Sequence, residues 1–170
     1  MPRNRGVTLV ELLFTVAILA IALSIAAPSF SELLSNHKAS TATQDLRSTL
    51  DFARESAVHS GQPLTIAPLE GNWTSGWEVF VDPDNRGVRA PANPPLIIHG
   101  PLGIRQIQTD STSRRYIHFT SRGNSIQPNG AFHSGTLTLC GDGDSSFRIV
   151  INKAGRIRTE SGATETLCPR

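Results

Sequence analysis

From Val7 to Ala27 the chain runs 21 residues without Gly or Pro and with a single ionisable side chain, Glu11. A helix of that length crosses the hydrocarbon core of a bilayer. No irregular backbone could do so, because lipid leaves open N–H and C=O groups unsatisfied. Glu11 is the anomaly. A carboxylate inside such a segment costs roughly 2.5–3.5 kcal/mol on insertion scales, so an acid there is by default a functional residue that awaits a partner. Upstream lies a short basic leader, Met1 to Gly6, with Arg3 and Arg5. A cleaved secretory signal would use Ala26–Ala27 as its small-residue site, but its leader would be short and Glu11 would be foreign to its core. A plain signal anchor leaves Glu11 without a role.

Gly6 followed by Val7–Thr8–Leu9–Val10–Glu11–Leu12–Leu13 resembles the processing site of type IV pilins and type II secretion pseudopilins, although Val7 stands where those families usually carry Phe. The resemblance implies a prepilin peptidase that cuts after Gly6 and methylates the new terminal amine, on Val7. It also implies that Glu11, the fifth residue of the mature chain, faces the methylated amine of a neighbouring subunit in an assembled filament. Such a buried charge specifies register more reliably than it adds net stability. Residues 1–6 are then a leader and 7–27 a transmembrane helix that becomes filament core. The partners implied are other major and minor pilins through this helix, the peptidase, and an inner-membrane assembly platform. The implied location is the inner membrane, in a single pass with the C-terminal domain in the periplasm, and then the pilus or cell surface.

After Ala27, Pro28 removes a helical hydrogen bond, and in those families it marks where the helix bends or melts in the filament. Leu33, Leu34, Ala39, Ala42, Leu46, Leu50, Ala53 and Ala57 then recur at spacings of three and four, with Asp45, Arg47, Asp51, Arg54 and Glu55 on other faces. This is one apolar stripe. One helix is predicted over residues 7–59, with an amphipathic continuation over 28–60 packed on a domain. Ser60–Gly61–Gln62–Pro63 ends it. From Leu64 the period becomes two, and strands are predicted at Leu64–Ala67, Trp77–Val81, Leu96–His99, Ile104–Gln108, Tyr116–Phe119, Leu137–Cys140, Phe147–Ile151 and near Arg156–Arg158. The fold class is α+β: a long N-terminal helix on an antiparallel β-sheet domain of residues 61–170.

The segments Trp73–Asp82, Phe119–Gly123 (FTSRG), and Phe147–Ile151 with Gly155–Arg158 resemble the FimT/GspH family of minor pilins and minor pseudopilins. Those proteins carry a globular β-sheet domain on the helix, and their minor pilins prime filament assembly near a pilus tip.

Little in the chain points to catalysis, and no enzyme, cofactor or metal site is expected. Asp82–Gly87 lacks the acids of a calcium loop at Arg86 and Asn93 and reads as a turn. His37, His59, His99, His118 and His133 have no ligand spacing. No serine sits in a nucleophile-elbow context, and Gly141–Asp144 lacks the Lys of a phosphate loop and reads as a hairpin turn. Trp73, Trp77 and Phe80 read as packing. Cys140 and Cys168 are expected to pair, because a domain delivered across the membrane meets an oxidising compartment; free thiols are the alternative.

Charge is unevenly spread. Residues 7–103 carry five Lys/Arg and nine Asp/Glu, and residues 104–170 carry nine and five. Within the basic part, Lys153, Arg156 and Arg158 form a cluster on an extended segment, held near Cys140 if the disulfide forms. Arg side chains pair bidentately with phosphate, and a few such contacts give weak, salt-sensitive binding to double-stranded DNA without sequence preference. The bland reading is a strand edge blunted by charge. The resemblance adds weight to the first, because a Gly-Arg-x-Arg motif is associated with FimT-type pilins that bind DNA for uptake. Arg114, Arg115, Arg122 and Arg148 could widen the patch. The function expected is a minor type IV pilin that assists assembly and binds DNA non-specifically in natural transformation. The alternatives are a minor pseudopilin of a type II secretion system and a purely structural tip pilin.

Overall fold

The computed structural model describes residues 8–169. Helix α1 spans Leu9–Ser60 and continues through Pro28 without a break. Its start is set by Thr8, whose hydroxyl accepts from the Glu11 N–H, and its end by Gly61 in the left-handed conformation at φ 68°. Ala39, Ala42, Leu46, Leu50, Ala53 and Ala57 are all buried, so the stripe read from the sequence is the face that packs. Its four alanines let the helix backbone lie close to the sheets. Leu33 and Leu34 extend the same pattern but stay exposed, because the domain begins only beyond them.

Eight strands follow: β1 Leu64–Pro68, β2 Trp77–Val81, β3 Ile97–His99, β4 Gln106–Thr109, β5 Ile117–Phe119, β6 Gly135–Cys140, β7 Ser145–Ile151 and β8 Ile157–Ala163. They form two four-stranded sheets rather than one, in the orders β3-β2-β1-β5 and β4-β6-β7-β8, with every pairing antiparallel. The second half of α1 packs on both. One core results, in which Leu46 and Leu50 meet Ile66, Trp77, Ile117 and Phe119 from the first sheet and Leu137, Leu139, Ile149 and Ile151 from the second. Trp73 and Phe80 are also buried. Removing a side chain such as Leu50 from this core would cost about 2–5 kcal/mol.

Two groups of loops sit at opposite ends of the packed helix. The β6–β7 turn rests on its lower part: Asp142 N–H donates to the Ser35 hydroxyl at 3.1 Å and Ser145 N–H to Asn36 Oδ1 at 3.0 Å. Nearby, a four-residue helix, α2 (Thr164–Leu167), leads into Cys168, which is disulfide-bonded to Cys140 with the Cα atoms 6.0 Å apart. The turn after β5 and the β7–β8 turn lie instead against the last turns of α1, near Arg54 and Val58. With a helical rise of 1.5 Å per residue, the step from Asn36 to Arg54 separates the two groups by about 27 Å.

Candidate functional site

The first half of α1 is the larger candidate surface. Its side chains from Leu9 to Ala27 are exposed, and its most apolar stretch has a mean hydropathy of 2.5 with none of it covered by the domain. Such a face requires lipid or other helices around it. Gly6 and Val7, the expected cleavage site, lie outside the described residues. Glu11 is described, and here the expectation of an acid with no partner before assembly is corrected. Thr8 N–H and the Thr8 hydroxyl both donate to Glu11 Oε2 at 2.9 Å, while Glu11 N–H donates back to Thr8 Oγ1 at 3.3 Å. This is a capping box. The carboxylate is engaged within its own first turn, and two otherwise open backbone donors are satisfied. The signal was present in the sequence as Thr8-x-x-Glu11.

The second candidate surface is the β7–β8 turn. Asn152 builds it: its Oδ1 accepts from Ala154 N–H at 3.0 Å and Arg156 N–H at 2.9 Å, and its carbonyl accepts from Gly155 N–H at 2.8 Å. Gly155 has φ 74°, a left-handed conformation that costs glycine little. Lys153 and Arg156 project from this rigid turn, both exposed and without an ion pair among the described residues. Lys153 Nζ lies 6.0 Å from the centre of the exposed Phe132 ring. Arg158 is on β8 and also exposed, but its guanidinium is 3.0 Å from Glu160, so part of its charge is already answered.

The cluster is not near Cys140, which corrects the expectation that the disulfide holds it in place. Arg158 lies opposite Val150, and Val150 opposite Thr136. Cys140 is four residues further along β6, about 13 Å at the usual strand rise. Of the other arginines, Arg148 is half-buried on β7 with its Nε lacking a partner. Arg114 and Arg115 are exposed on the loop before β5, and Arg122 is exposed in the turn after it. Arg54 reaches from α1 to that turn, where its Nε donates to the Gly123 carbonyl at 3.0 Å. Sequence reading placed Arg54 only on a polar helix face, because nothing in its local spacing marks a contact 69 residues away.

Three further titratable side chains are buried. Asp82 is buried, accepting from Arg86 and Gly87 N–H groups and from Thr65. His118 and His133 are buried within hydroxyl networks.

The family described as type II transport protein GspH matches residues 42–155, and the prokaryotic N-terminal methylation motif matches residues 1–27. Among solved structures, the type IV minor pilin FimU of Pseudomonas aeruginosa is 25% identical, with 73% of this chain and 89% of that chain covered and a TM-score of 0.57. The same pilin in a second crystal form gives 25% identity, coverage of 71% and 91%, and a TM-score of 0.56. The minor pseudopilin EpsH from the type 2 secretion system of Vibrio cholerae shares the fold at 16% identity, over 72% of this chain and 96% of that one, with a TM-score of 0.53. No curated protein sequence matches significantly.

Proposed function

This chain belongs to the GspH family and carries the N-terminal methylation motif, which makes it a minor pilin or pseudopilin, and we propose that it serves a type IV pilus. It is a structural subunit and not an enzyme. In this reading the peptidase cuts after Gly6, the helix from Val7 holds the subunit in the inner membrane with its domain in the periplasm, and the same helix later packs among those of other pilins. The bare apolar half of α1 supports this, since it needs one cover before assembly and another after it. FimU, at 25% identity, is a type IV minor pilin, and that likeness favours a pilus over a secretion pseudopilus.

The subunit also contacts double-stranded DNA through Lys153, Arg156 and Arg158. One observation carries this part: Lys153 and Arg156 stand exposed and unpaired, among the described residues, on a rigid turn against the last turns of α1, the end opposite its bare apolar half. A strand edge blunted against aggregation would not need that rigidity or that placement. The bonds formed are to phosphate and read no base edge.

The test uses the full chain in neutral detergent micelles with a random-sequence duplex, followed by fluorescence anisotropy over a range of salt. The logarithm of affinity is expected to fall with the logarithm of salt at a slope of roughly two to three. Arg156→Gln/Arg158→Gln should lose most binding and flatten the slope by at least about one unit, the loss at Arg158 being softened by Glu160. Equal binding by variant and wild type would reduce the turn to a charged edge and leave a structural pilin.

A further inference from the structure

Three segments distant in sequence meet at the end of α1. Arg54 Nε donates to the Gly123 carbonyl at 3.0 Å. Gly155 lies so close to that carbonyl that a Cβ on it would collide with the oxygen and come within 3.0 Å of Arg54 Nε. Gly123 is pressed in turn against Val58, whose Cγ2 would be 3.0 Å from a Cβ there. Both glycines hold positive φ, 78° and 74°, so conformation and close approach each demand glycine. The chain neighbours of this contact are Arg122 and Arg156. Both are exposed, and neither has an ion pair among the described residues.

We propose that the polyanion surface is composite: Arg122 contacts phosphate beside Lys153 and Arg156, and Arg54 is the positioning residue that clamps the two turns together. This rests on the DNA reading above. The β7–β8 turn alone offers two unpaired cations, because Arg158 already faces Glu160. Backbone contact between Gly123 and Gly155 brings a third cation to the same place from a different loop. Ordering two separate loops at the moment of binding would cost conformational entropy, and the Arg54 hydrogen bond meets that cost during folding. The clamp also gives the glycine of FTSRG a purpose that turn geometry alone does not.

The same full-chain titration decides it. Arg122→Gln is expected to reduce the salt slope by about one and to weaken binding roughly tenfold at 50 mM salt, with an unchanged thermal midpoint. Arg54→Met should also weaken binding, and Arg54→Lys, which keeps a donor for the Gly123 carbonyl, should restore most of it. Should Arg54→Met fail to fold, the exposed Arg122 still carries the test. Wild-type binding with an unaltered slope in Arg122→Gln overturns the composite surface while leaving the contact at residues 153–158. A wild-type chain that binds no duplex overturns the DNA reading itself, and the composite surface with it.

Discussion

Thr65 donates its one hydroxyl proton to Asp82 Oδ2 at 2.8 Å, so the His118 Nδ1 that lies 2.9 Å from Thr65 Oγ1 must present a proton of its own. A similar chain fixes His133. Ser125 donates to the His118 carbonyl at 3.0 Å, which leaves His133 Nδ1 to donate to Ser125 and His133 Nε2 to accept from Ser113. Every one of these bonds is made by a neutral imidazole. Burial pushes both histidines below the usual imidazole range, partly opposed by Asp82 at His118 and by Asp110 at His133. The unfolded chain therefore binds more protons than the folded one once pH drops below about 6.5, the ordinary histidine value. Stability contributed by these groups is whole above that pH and declines as pH falls through it towards the depressed folded values. The thermal midpoint of the purified chain is expected to fall between pH 7.5 and 5.5, and His118→Gln/His133→Gln to flatten that dependence. An equally steep profile in the double variant would show that other groups set it. At this scale the sequence was only partly readable. The Thr8-x-x-Glu11 box lies within one turn and could be seen, whereas Thr65, Asp82 and His118 converge from three strand regions and could not.

At the scale of elements, apolar runs bounded by turn residues located all eight strands, because most of them send apolar side chains into the one core beneath α1. That signal understated β8. The segment Ile157–Ala163 is largely polar, and as an edge strand it exposes most of its side chains, so only Ile157 marks its inward face. The division into two sheets was not legible either, since it depends on which strands pair over long range and not on any local pattern. The separation of the disulfide from the cationic turn has the same origin: both belong to the β6–β7–β8 meander, but antiparallel register sends them to opposite ends. This has a measurable consequence. Closing a loop of 28 residues stabilises by roughly 3–4 kcal/mol in the chain-entropy model. Cys140→Ser/Cys168→Ser should therefore lower the unfolding midpoint and speed hydrogen exchange in α2. Affinity for duplex DNA, measured well below the new midpoint, should not change. A parallel loss of binding would mean that the C-terminal segment supports the cationic turn after all.

For the molecule as a whole, α1 has two covers to find, and Glu11 lies where one is exchanged for the other. In the free subunit its carboxylate is held by Thr8, which lessens the penalty of an acid in lipid and explains how the helix can wait in the membrane. In a filament the proposed partner is the terminal amine of a neighbouring Val7, a full charge rather than a hydroxyl and an amide. The amine brings a full opposite charge, and the Coulombic attraction between two unit charges adds to hydrogen bonding that the hydroxyl and amide of Thr8 supply without it, so the exchange favours assembly. A glutamine can fill the third position of a capping box as well as a glutamate can, and this separates the two roles. Glu11→Val loses both the cap and the charge, while Glu11→Gln keeps the cap and loses only the charge. If the carboxylate aligns subunits, both variants should insert in the membrane, be cut after Gly6 and yet be missing from sheared pili in an immunoblot. If the cap is what matters, Glu11→Gln should assemble as the wild type does. Normal incorporation of Glu11→Gln would thus remove charge pairing from the account and leave Glu11 as a device for starting the helix.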